Sequence, residues 1–169
     1  MSETRGEAAA AWWRSAVADR DSGPARALAA RLRRAEGVEV LAEPAVQQLA
    51  RRLGMGPRDA GPLMRLVRVL AELRQDAPEP LARRLGGAEP VLSTLRFQRL
   101  LRASGAEFEP QLRRALVMAD RRCHVARLAA DLLVWDHPEW GDPVRARWCF
   151  DYFGAPPPAA ASSSQELSA

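Results

Sequence analysis

Proline and glycine cut this 169-residue chain into short segments, and nearly every segment between them repeats its apolar residues with the period of an α-helix. The clearest begins at Pro62. Leu63, Leu66, Val67, Leu70 and Leu73 recur at spacings of three and four, while Arg65, Arg68, Glu72 and Arg74 take the outer side. Such a stripe buries itself only against other helices or a sheet, and no segment alternates as a strand does. The pattern therefore predicts an all-α fold.

The remaining punctuation follows the same logic. Residues 7–20 read as a helix with Trp12, Trp13, Ala16 and Val17 on its apolar face. Ser22-Gly23-Pro24 restarts the chain into a helix over 25–35, which Gly37 ends. Pro44 opens a third helix and Gly54 stops it. Pro78 and Pro80 break the Pro62 amphipath, leaving at most a short helix over 81–87. Beyond it the periodicity predicts helices near 91–103, 107–119, 125–135 and 143–153, with Asp142-Pro143 as N-cap and first turn and Gly154 as C-cap. The expected organisation is two small helical-bundle subdomains, residues 1–75 and 91–154, joined by a Pro/Gly-rich linker over 76–90. Residues 155–169 offer almost nothing large to bury and are expected to be a disordered tail.

Composition narrows the class. Apolar residues make up 47% and charged residues 27%, the balance of a soluble globular chain. No run of about 18 apolar residues exists, so no membrane partner is expected. The amino terminus has no apolar signal region, and Cys123 and Cys149 are too few for a disulfide framework. A cytoplasmic protein with reduced thiols is expected.

All 25 basic residues are arginine. GC-rich coding is the first explanation, yet the consequence is physical: every cation is a planar, multi-donor guanidinium suited to phosphate. The charge is uneven. Residues 1–90 carry 15 Arg against 12 acids, residues 91–130 carry 8 against 3, and residues 131–169 carry 2 against 6. A basic stretch followed by an acidic end points to a polyanionic partner for one part of the surface.

Arg96, Arg99 and Arg102 are the strongest local feature. Steps of three on a helix turn about 60° backward, so the three fan over about 120° of one surface. Phe97, Leu100 and Leu101 anchor the other side. Arg113, Arg114, Arg121, Arg122 and Arg127 follow. The two readings are a solvated face with scattered ion pairs and a grip on nucleic acid or another phosphate ligand. The three acids within 91–130 cannot neutralise eight arginines. Arg26, Arg31, Arg33 and Arg34 form a second run; Arg65 and Arg68 form a third. Arg51 and Arg52 sit near a helix end, where cations favour the dipole.

Other chemistry is poorly served. Trp135 and Trp148 fall on apolar faces and read as core, while Trp13 and Trp140 are the candidates for exposure. Cys123, His124, His137 and Cys149 lie at no metal-ligand spacing, and no metal or other cofactor is expected. No phosphate-binding glycine loop, nucleophile elbow or paired-histidine helix occurs, so no catalytic residue is assigned. Asp131, Asp136, Glu139 and Asp142 read as a solvated acidic edge.

At residues 95–153 the chain resembles a known family. RFQRLLRA, LRRAL, VARLAADLLVWD and VRARWCFDYF stand in the order found in the CasB family (also called Cse2), the small subunit of the type I-E CRISPR Cascade complex. AWWR near the start, then Gly23, Arg26 and LRRA, fit the same pattern. The resemblance spans residues 12–153, with a weakly matching middle over roughly 44–90. It implies an all-helical, non-enzymatic subunit with two subdomains, present as two copies head to tail. Its implied partners are the guide crRNA, the target DNA, the displaced non-target strand, the backbone and large subunits, and its own second copy. Within matching motifs it implies nucleic-acid contacts at Arg33, Arg34, Arg96, Arg99, Arg113, Arg114, Arg145 and Arg147. Arg102 and Arg121 join them from charge placement, and Arg26, Arg65 and Arg68 more weakly. The HPEWGD loop over 137–142 and the Pro-rich tail depart from the family pattern.

Three other classes stay open at this point. One is a free-standing helical DNA-binding protein, although no recognition helix is evident. The second is an arginine-rich scaffold for acidic protein surfaces. The third is an enzyme, which requires an acidic cluster that no motif marks.

Overall fold

The computed structural model describes residues 3–154; the tail expected to be disordered lies outside them. The fold is helical, as the punctuation predicts. The α-helices are α1 (Arg5–Ala16), α2 (Gly23–Arg34), α3 (Pro44–Leu53), α4 (Ala60–Glu72), α5 (Leu81–Leu85), α6 (Thr94–Arg102), α7 (Gly105–Met118), α8 (Val125–Val134) and α9 (Gly141–Tyr152). Local chemistry sets the boundaries. Thr4 and Glu7 form a reciprocal capping box on α1, and Ser22 and Ser93 cap α2 and α6. Gly54 closes α3 in the left-handed conformation at φ 65°, where a Cβ would be strained.

Three expectations change. Arg65 and Glu72 do not take the outer side of α4: both are buried, because Asp136 after α8 and Arg113 of α7 reach in to pair with them. Asp142 is not the N-cap of α9. The HPEWG segment closes as a turn, with Gly141 N donating to His137 O at 2.9 Å, so the helix begins earlier and Trp140 takes the cap position. Asp142 lies within the first turn and pairs with Arg145 at 3.4 Å. Among the described residues there is also one strand pair that no periodicity announces: β1 (Gln75–Asp76) runs parallel to β2 (Arg122–Cys123). Two residues are too few to show alternation.

Helices from the two halves share one connected core. α1 packs on α8 and α3, α2 on α4, and α4 on α7 and α8. Residues 76–90 carry α5, whose Leu81, Ala82 and Leu85 are buried against α9 and α7. Aromatic stacking fills the second half: Phe108 lies 4.4 Å from Trp135, and Phe97 3.9 Å from Tyr152, between ring centroids. Trp12, Trp13, Trp135 and Trp148 are all buried; Trp140 is the exposed one, stacked on His137.

Candidate nucleic-acid interface

The packing sorts the candidate arginines into two groups by whether an internal acceptor reaches them. In the first group the guanidinium is already occupied. Arg65 is buried, donates to Asp136 at 2.6 Å and to Leu132 O at 3.0 Å, and lies over the Phe108 ring. Arg68 reaches Glu109 at 3.3 Å. Arg113 donates to the buried carboxylate of Glu72, and Arg121 approaches the other Glu72 oxygen at 3.7 Å. Arg145 donates to Leu101 O at 3.1 Å and lies over the Trp135 ring. Arg147 pairs with buried Asp131, which also accepts from Trp148 Nε1 at 2.7 Å. Arg26 donates to Arg20 O at 3.2 Å.

In the second group the side chain has no ion-pair partner among the described residues. These are Arg33, Arg34, Arg96, Arg99, Arg102 and Arg114. All but the half-buried Arg33 are exposed. Three of them converge. α6 and α7 pack side by side and leave a groove of about 430 Å³ between them. Arg96 and Arg99 from α6 and Arg114 from α7 line it, with Gln111 as a further polar group and Leu100 and Met118 as apolar lining. No carboxylate lines it. Phe97 and Leu100, buried on the inner face of α6, fix the helix that presents the arginines. Such a groove offers many donors and a positive potential, and any anion entering it displaces no internal acid.

Sequence counting understates the internal pairing of the basic stretch. Glu72, which engages Arg113 and Arg121, and Asp151, which engages Arg127, both lie outside residues 91–130 and are brought in by the fold; from within the stretch, Glu109 stands 3.8 Å from Arg113. Nor is Asp131 part of a solvated edge: it is buried and holds Trp148 and Arg147. Gln111 and Met118, which no motif singles out, enter the groove because α7 follows α6 through a tight turn. Arg20, unmarked in the sequence, and Arg74, marked there only as an outer-side residue of the Pro62 amphipath, stand beside Arg33 and Arg121. Arg74 N donates to Arg121 O at 2.9 Å, and Arg33 and Arg74 both act on the charge of Arg20. No helix of the described residues is long and apolar enough to cross a membrane.

Comparison with known proteins gives two findings. A family model described as CRISPR-associated protein Cse2 matches residues 28–153, about three quarters of the chain. The crystal structure of a CRISPR-associated protein of the Cse2 family from Thermus thermophilus superposes with a TM-score of 0.67 at 24% identity, covering 89% of this chain and 98% of that one. At that identity the likeness speaks for the fold. No curated protein matches the chain.

Proposed function

The chain belongs to the CRISPR-associated Cse2 family, and on that premise we propose that it is a non-catalytic small subunit of a type I-E RNA-guided surveillance complex, working in the cytoplasm. In this reading it holds polynucleotide backbones without reading their bases. The observation that carries the reading is the α6–α7 groove, where Arg96, Arg99 and Arg114 present guanidiniums that no internal carboxylate engages.

The mechanism follows from energetics. Exchanging a DNA duplex for a guide–target hybrid is nearly balanced in free energy. Modest contacts to phosphates therefore tip it, and contacts to the displaced strand disfavour re-annealing. Arginines held on rigid helices suit this task, because their donors are already oriented. The guide RNA, the target DNA, the displaced strand, the backbone and large subunits and a second copy of the chain are the partners this reading names.

The test is co-purification with the other subunits and a guide RNA, then target-DNA binding with and without this chain. Incorporation at about two copies, with weaker target capture on omission, is the expected result. A chain that stays out of the particle and binds duplex DNA alone at a defined site overturns the reading in favour of a free-standing DNA-binding protein.

A further inference from the structure

A second cluster of cations lies on a different side of α7 from the groove. Four distant segments build it: Arg20 follows α1, Arg33 stands in the last turn of α2, Arg74 follows α4, and Arg121 stands in the turn before β2. Glu72, at the end of α4, is buried at its centre. Arg113 Nε donates to Glu72 Oε1 at 2.9 Å, and Arg121 Nη1 lies 3.7 Å from Oε2. Arg20 Nη2 donates to Ala71 O at 2.7 Å and Leu73 O at 3.1 Å, which fixes it over the carboxyl end of α4. Backbone contacts tie the segments together: Arg74 N donates to Arg121 O at 2.9 Å, and Arg113 Nη2 to Arg33 O at 3.3 Å.

The cluster is under-neutralised. Burial, then the guanidiniums of Arg33, Arg74 and Arg121, hold Arg20 below the usual arginine range, and Glu72 is the acidic group that opposes them. The Arg33 and Arg74 side chains have no acceptor among the described residues. Like charges gathered in one place repel one another, and Glu72, with Glu109 3.8 Å from Arg113, offsets only part of that. An incoming oxyanion with several acceptor oxygens relieves the rest.

We propose that this cluster is a second anion seat, separate from the α6–α7 groove, in which Arg33, Arg74 and Arg121 donate to a phosphate of a polynucleotide backbone while Glu72 and Arg113 form its floor. The inference rests on reading the protein as a backbone binder, and it adds Arg74, which no motif singles out.

The experiment uses the full chain and a labelled single-stranded oligothymidylate, read by fluorescence anisotropy over a range of salt. Three sets of variants are compared: R33A/R74A at the seat, R96A/R99A/R114A at the groove, and R51A/R58A as an exposed control that removes the same charge as the first. Melting curves check that each variant is folded. The seat variant is expected to bind about ten-fold more weakly and to lower the magnitude of the salt slope by about 0.7 for each phosphate it no longer holds, while the control leaves the slope unchanged. A seat variant that binds with wild-type affinity and slope, while the groove variant loses binding, overturns the seat and leaves the functional reading standing. A control that weakens binding as much as the seat variant also overturns the seat, because diffuse charge then explains the effect. If neither the seat nor the groove variant changes binding, the reading of the protein as a backbone binder falls, and the seat with it.

Discussion

Arg113 and Arg114 are consecutive in the chain and have different electrostatic fates. Arg113 donates to the buried carboxylate of Glu72, while Arg114 lines the α6–α7 groove with no internal acid in reach. One step along a helix turns about 100°, which is enough to send one guanidinium into the α4 contact and the next to the surface.

The two positions therefore respond differently to truncation. Arg113→Ala strands a buried carboxylate with only the longer contact from Arg121, and is expected to cost about 3 kcal/mol of stability. Arg114→Ala is expected to stay within about 0.5 kcal/mol of the parent in stability and to weaken oligonucleotide binding, lowering the salt slope by about 0.7 to 0.9. Urea denaturation and salt-dependent binding of the two variants check this. Equal stability loss at both positions would contradict it.

Asp131 joins α8 to α9 through Trp148 Nε1 and Arg147. Asp131→Ala leaves a buried indole N–H without an acceptor and is expected to cost about 3 kcal/mol. Asp131→Asn retains an acceptor and loses about half as much. Thermal melting should separate the two substitutions by several degrees, with the alanine variant lower.

Gly6 is where α1 meets α8 most closely. A Cβ there would run into the carbonyl oxygen of Ala126 and stand 3.0 Å from Ala130 Cβ. Gly6→Ala is expected to force the helices apart at a cost of about 2 kcal/mol. Gly61, near the start of α4, has open space around the same atom, and Gly61→Ala is expected to stabilise by about 0.5 kcal/mol. Denaturation midpoints that move in opposite directions are the expected outcome.

The two cysteines should differ in chemistry. Burial, and then the Asp76 carboxylate, push the Cys123 thiol up from 9.0 to about 12, while Cys149 is only half-buried. A thiol reagent at mildly alkaline pH is expected to label Cys149 and spare Cys123 until the protein unfolds, as mass spectrometry of the peptides would show. Because the folded state holds the Cys123 proton more tightly, its contribution to stability is complete below pH 9.0 and falls as pH rises from there towards about 12. Cys123→Ala is expected to reduce that alkaline loss; an unchanged pH profile would count against it.

Much of the helical order is legible because its signals are local. Pro44, Ser22 and Gly54 act within a turn of their own positions, so reading them needs no knowledge of the partner helix. The start of α9 is misplaced at Asp142 because the real boundary depends on a closed turn between His137 and Gly141. The β1–β2 pair leaves no sequence signal because it exists only where two segments far apart in sequence meet. Among the site residues, the basic character of α6 is plain from Arg96, Arg99 and Arg102, and Phe97 and Leu100 show which face is buried. Which arginines stay unpaired is not readable, since the acids that decide it are remote.

Neighbours along the chain are enough to specify a helical protein, rich in guanidiniums and matched by its ordered motifs to one family, because periodicity, capping residues and motif order are local properties. Tertiary structure decided the electrostatics. Glu72 from α4, Asp136 after α8 and Asp151 from α9 reach across the core to occupy Arg113, Arg65 and Arg127, and leave Arg96, Arg99 and Arg114 open. A Coulomb interaction depends on distance through space, and only the packed fold sets that distance.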